Sequence, residues 1–283
     1  MEYANPDALV DTDWLAQRLD DSSIRIVDAT WFMPNVDRSA RDEVAACHIP
    51  GALHWDIDAI ADPTDSLPHM VPGATEFAHF MAGMMISNTT RVVAYDRTGT
   101  SNAPRAWWTL RYFGHENVSV LNGGLKKWMA DGHPTDTSGP GGSSGEYTAT
   151  VQPARIRSLE EVMANIKSGA EQILDARAAG RFTGVDPEPR AGMRSGHIPG
   201  SLNLPFGTLI DPDSGLFRDA DAMTACFTEA GIDMNQPVIT SCGSGVTACV
   251  LALGLHLLGH DDVAVYDGSW TEWGGRDDTP IEV

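Results

Sequence analysis

Short runs of apolar, largely β-branched residues recur along the chain at Arg25 to Val27, Val92 to Tyr95, Val118 to Leu121, Gln172 to Leu174, Val238 to Ser241 and Val263 to Tyr266. Stretches of helical character separate them. Strands alternating with helices predict a parallel sheet covered by helices, an α/β architecture in which ligands sit at the carboxyl ends of the strands. The most apolar stretch, Val246 to Gly259, contains His256 and is shorter than the roughly 20 residues of a membrane span, so it reads as a buried helix.

The pattern occurs twice. Ile26-Val27-Asp28-Ala29 parallels Ile173-Leu174-Asp175-Ala176, His48-Ile49-Pro50-Gly51 parallels His197-Ile198-Pro199-Gly200, and Arg91 to Asp96 parallels Pro237 to Cys242. Gly114-His115 matches Gly259-His260, and Asn122-Gly123-Gly124 with Trp128 matches Asp267-Gly268-Ser269 with Trp273. The offsets are 147, 149, 146, 145 and 145, so the halves differ only by small insertions. Between them, Thr137 to Gly145 is rich in Gly and Ser and has the composition of a linker. The organisation expected is a first domain over 1–136, a linker over 137–146 and a second domain over 147–283.

Composition narrows the partners. Among 283 residues, 19 Lys and Arg stand against 39 Asp and Glu, a formal charge of −20, which disfavours nucleic acid and anionic membranes because both need clustered cations. With 42% hydrophobic residues the chain can bury a core in each half. The first eleven residues carry acid where a secretory signal needs positive charge, which predicts a cytoplasmic protein. The four cysteines, Cys47, Cys226, Cys242 and Cys249, form no CxxC pair and no zinc spacing, so neither a disulfide framework nor a metal is expected.

Cys242 is the cysteine with a chemical setting. Cys242-Gly243-Ser244-Gly245-Val246-Thr247 follows one predicted strand and precedes the apolar helix. Such a turn points successive backbone N–H groups into one bowl, with the positive end of a helix behind it. An anion belongs there, and a Cys242 thiolate is one that these donors would stabilise. Cys249 lies inside the apolar helix and reads as core, as does Cys226 in another helical stretch; Cys47 precedes a repeated His-Ile-Pro-Gly and reads as less buried.

Tandem halves, His-Ile-Pro-Gly in both, a Cys loop only in the second and the Asp267 to Trp273 segment together resemble the two-domain rhodanese-type sulfurtransferases, over nearly the whole chain. The resemblance implies two tandem rhodanese-like domains and no cofactor. In that family thiosulfate enzymes carry Arg and Lys after the cysteine, whereas 3-mercaptopyruvate enzymes carry Gly and Ser; Gly243 and Ser244 match the latter. The resemblance also implies that Arg181 and Arg190 hold the substrate carboxylate, for which a bidentate fork is suited. It implies an acceptor that is a thiol, such as thioredoxin or a small thiol, or cyanide.

In the first half Asp96 takes the place of Cys242, and a carboxylate cannot accept a sulfane sulfur, so that half is expected to be inactive and to wall the cleft. The resemblance further implies a His and an Asp of the first domain acting with Ser244. The expectation places His48 as that histidine and Asp37 as its acid, although the duplicate His197 favours a structural role for His48. The alternatives are thiosulfate sulfurtransferase, the runner-up within the family, and a non-enzymatic persulfide-carrying or redox module that would need no substrate arginines; a cysteine phosphatase is disfavoured, because it needs Arg six residues after the cysteine where this chain has Ala248.

Overall fold

A computed structural model describes residues 2–139, 141 and 145–283. In the first half, strands β1 (Leu9–Val10), β2 (Ile24–Asp28), β3 (Leu53–His54), β4 (Arg91–Tyr95) and β5 (Val118–Leu121) form a parallel sheet in the order β1-β5-β4-β2-β3. In the second half, β6 (Ile156–Arg157), β7 (Gln172–Asp175), β8 (Leu202–Asn203), β9 (Val238–Ser241) and β10 (Val263–Tyr266) repeat it as β6-β10-β9-β7-β8. Five helices accompany each sheet: α1 (Thr12–Ala16), α2 (Ala40–Ala46), α3 (Ala74–Gly83), α4 (Ala103–Tyr112) and α5 (Gly124–Ala130), then α6 (Leu159–Ser168), α7 (Ala179–Phe182), α8 (Ala220–Glu229), α9 (Ala248–Leu257) and α10 (Ser269–Trp273). The six predicted strands are present; the four two-residue edge strands are too short to leave a pattern.

The central strands are continuously apolar because both of their faces are covered. One face of each sheet packs on its own outer core, around Leu15, Tyr95 and Trp128 in the first half and Val162, Tyr266 and Trp273 in the second. The inner faces share a single core that runs through α4 and α9, bringing Trp107 and Trp108 of one half against Val250, Leu253 and Leu257 of the other. Trp107 and Trp108 thus belong to the seam between the halves rather than to a core private to the first. No helix of the described residues is long and apolar enough to cross a membrane.

The connection departs from a clean boundary. Residues 140 and 142–144 of the expected linker lie outside the described residues. Beyond them Thr148 exchanges two 2.8 Å hydrogen bonds with Asn88, Thr150 and Gln152 donate backbone N–H to Phe113 and Tyr112, and Tyr147 stands edge-on to Phe77. These residues, placed by the sequence reading in the second domain, lie against the first half. At the other end Ala4 donates to the Leu257 carbonyl and Asn5 to that of His256, so the amino-terminal residues lie on the second half.

Candidate active site

Cys242 emerges at the carboxyl end of β9 and is 2% exposed. The loop behind it is shaped by the segment that opens α10. Ser269 Oγ accepts from the amides of Cys242 (3.2 Å) and Gly245 (3.1 Å) while donating to the Tyr266 carbonyl. The Trp270 and Thr271 amides donate to the carbonyls of Cys242 and Gly243, and the Thr271 hydroxyl reinforces the latter at 2.6 Å. With those carbonyls engaged, the amides of Gly243, Ser244, Val246 and Thr247 donate to no acceptor among the described residues. Gly245 at φ +76° is obligatory, since a Cβ there would stand 2.7 Å from the Asp267 carbonyl.

Cys242 faces a cavity of about 340 Å³ between the halves, walled by Trp31, Phe32 and Met33 on one side and Arg181, Pro189 and Arg190 on the other. Arg181 Nη2 lies 3.2 Å from where a Gly243 Cβ would stand, and its fork is taken by Glu188, at 2.5 Å from Nη2. Glu188 is shared with the buried Arg177, which also pairs with Asp175. Arg190 makes no ion pair among the described residues; burial pulls its guanidinium below the usual arginine range, with the negative form of Cys242 opposing that shift. It is the less committed of the two cations. Burial pushes the Cys249 thiol far upward, consistent with core, whereas Cys226 is half-buried at the edge of the shared core, with its thiol at the Thr208 carbonyl.

The histidine beside Ser244 is His69. Its Nδ1 is 3.1 Å from Ser244 Oγ, and its Nε2 is 3.0 Å from Asp58 Oδ1. With Nε2–H donating to Asp58, Nδ1 is left as the acceptor for the serine hydroxyl. Trp31 donates to the other Asp58 oxygen at 2.9 Å and packs edge-on to His69 at 4.9 Å. These hydrogen bonds, that from His69 first, hold the Asp58 carboxyl below the usual carboxylate range.

His48 and Asp37 are not brought to the loop. The His48 ring lies 2.7 Å from the Val44 carbonyl and 3.2 Å from that of Ser138, and its backbone bridges Asp136. His197 bridges Glu282 in the same way, so the repeated histidines tie each half's closing segment to its sheet. Asp37 is exposed in the loop before α2. No sequence signal marks His69: the offset between the halves changes from 149 at β3 and β8 to 146 at α3 and α8, so the residue has no fixed counterpart in the repeat. Among the described residues no group of three His, Cys, Asp or Glu side chains is placed to hold a metal.

The model of the rhodanese-like domain matches the chain twice, at residues 11–131 and 158–276. The chain belongs to the rhodanese family. Among rhodanese relatives, the mouse 3-mercaptopyruvate sulfurtransferase is 41% identical over 94% of this chain and 91% of its own length. The thiosulfate sulfurtransferase of Cricetulus griseus is also 41% identical, over the same shares of both chains. Overall identity therefore does not separate the two donors. The crystal structure of the rhodanese-fold SseA from Escherichia coli, described as a 3-mercaptopyruvate sulfotransferase, superposes with a TM-score of 0.85 at 39% identity, covering 93% of this chain and 98% of its own.

Proposed function

We propose that this protein is a 3-mercaptopyruvate sulfurtransferase that carries sulfur as a Cys242 persulfide, with residues 147–283 as the catalytic domain and 1–136 inactive as a sulfur carrier. The observation that carries the reading is the uncharged Gly243-Ser244 pair beside Cys242, in a cavity also lined by Arg190 and Arg181. Thiosulfate is a compact dianion that would be served by cations in the loop itself, whereas a keto acid needs its carboxylate held away from the sulfur. Arg190 holds that carboxylate, and Arg181, shared with Glu188, assists.

The Cys242 thiolate attacks the thiol sulfur of the donor, an S–S bond forms, and the C–S electron pair leaves as pyruvate enolate, which takes up a proton to give pyruvate. The sulfur keeps its proton or loses it to solvent, so Cys242 ends as a persulfide. The Ser244 hydroxyl, which rests on His69 Nδ1, turns to donate its proton to the developing enolate, and that proton is replaced from solvent through His69, whose far side Asp58 holds. A thiol acceptor or cyanide then removes the outer sulfur and restores the thiolate. A cytoplasmic setting is part of this reading.

The test is pyruvate release by the purified protein with a thiol or cyanide acceptor, alongside thiosulfate turnover under the same conditions. Ping-pong kinetics, one added sulfur on Cys242 in intact mass and loss of turnover in Arg190→Ala are expected. A kcat/KM for thiosulfate above that for mercaptopyruvate would overturn the donor assignment. Persulfide formation without steady turnover would point to a carrier instead.

A further inference from the structure

One buried guanidinium of the first half touches both parts of the site. Arg105, from α4, is 3% exposed. Its Nη1 donates to Asp267 Oδ1 at 2.6 Å and to the Gly245 carbonyl at 3.2 Å, and its Nη2 donates to the His69 carbonyl at 2.5 Å. The second oxygen of Asp267 accepts the Val71 N–H at 2.8 Å. Trp108 covers the open face of the guanidinium at 4.7 Å. A single ion pair across the seam thus grips the segment that carries His69 on one side and the Cys242 loop on the other.

The backbone at His69 needs such a grip. His69 sits at φ +66°, a left-handed conformation that costs a non-glycine residue about 1 kcal/mol or more and persists only where its surroundings impose it. The groups that fix it are the His69 carbonyl, held by Arg105, and the Val71 amide, held by Asp267. The pair is also not a duplicated scaffold feature: at the offset of 145 that relates the halves here, Arg105 falls opposite Val250 and Asp267 opposite Asn122. It exists only at the loop that carries the thiol.

We infer that Arg105 and Asp267 are positioning residues that set the His69 imidazole in register with the Ser244 hydroxyl, coupling the docking of the two halves to proton delivery at Cys242. The inference rests on the proposed function, because it assigns His69 a part in turnover. Lysine at 105 keeps the charge but puts its donors on one nitrogen, which cannot occupy both the Nη1 and the Nη2 positions from which the planar fork holds Asp267 and the His69 carbonyl. A displacement of about 1 Å in such a relay costs up to ~100-fold in rate.

The experiment is a double-mutant cycle on the full chain with mercaptopyruvate, using Arg105→Lys, His69→Asn and both together. Asn tolerates the left-handed backbone but cannot relay a proton as the imidazole does. Arg105→Lys is expected to lower kcat about 10- to 100-fold with little change in KM, and to cost less than about 2-fold when His69 is already Asn. Asp267→Asn, run in the same cycle, gives the second reading if Arg105→Lys fails to fold, and the same non-additivity is expected. Equal losses in the two backgrounds, or a variant that retains full kcat, would overturn the positioning role while leaving the proposed function standing. If His69→Asn alone leaves turnover intact, the relay itself fails, and the inference fails with it.

Discussion

The loop after β4 and the loop after β9 are the same turn with different anions in view. In the first half the Asp96 carboxylate is itself the guest: one oxygen accepts from the amides of Thr98 (2.8 Å) and Thr100 (3.1 Å), the other from those of Asn102 and Ala103 (2.8 Å each). In the second half the residue at that place ends in sulfur, and the amides of four loop residues have no acceptor among the described residues. The comparison teaches that the fold supplies an anion cradle in both halves, and that one side chain decides whether it is spent on anchoring a helix or left open for chemistry.

The strongest way to break this comparison is at sulfur. Cys242→Ser should abolish sulfur transfer and Cys249→Ala should retain most of it; sulfur mapping to Cys249 by mass would sink the assignment. Next, His69→Asn should lower kcat about 100-fold, at the lower end for loss of a general acid–base group, while leaving the yield of persulfide at long times unchanged. Because the folded value of Asp58 is depressed, its stabilising effect is in place at neutral pH, begins to be lost as pH falls below the ordinary carboxylate value and is gone once pH has fallen through the lowered value.

Asp96→Asn tests the other loop. Removing the charge leaves buried amides facing a neutral group, so stability should fall by about 2 kcal/mol, read as a drop of several degrees in Tm, with turnover per folded molecule nearly unchanged. Cys242→Ser should leave Tm close to wild type, which sharpens the contrast between anchor and reactive centre. The smallest effect is on selectivity. Gly243→Arg with Ser244→Lys should shift the ratio of kcat/KM values toward thiosulfate by about tenfold, from one or two charge-assisted contacts. Part of that shift will come through Arg181, which a side chain at 243 must displace. An unchanged ratio would assign donor choice to the arginines alone.

Much of this was legible in the sequence for definite reasons. The central strands announce themselves by continuous hydrophobicity, and the repeat by motifs at nearly constant offset. The Cys242 loop is legible because glycines between a strand and an apolar helix allow few conformations. The His69 relay was not, because its histidine is selected by where the first half docks on the second and by a left-handed backbone that no local pattern specifies. His48 misled because the histidine implied by the family resemblance was carried onto it, although its repeat in His197 already favoured a role that both halves need. The edge strands Leu9–Val10, Leu53–His54, Ile156–Arg157 and Leu202–Asn203 are two residues each, below the length at which alternation carries information.

The shared core through α4 and α9 makes the molecule a dimer that cannot dissociate. Joining two subunits in one chain turns a second-order encounter into an intramolecular one at high effective concentration, so a site built across the seam is complete at any dilution. A tethered partner is also released from the symmetry that binds identical subunits, where every change appears on both sides of the axis. That freedom allows one copy to hold Asp96, Arg105 and His69 while the other holds Cys242, Asp267 and Ser244, a division of labour closed to a homodimer.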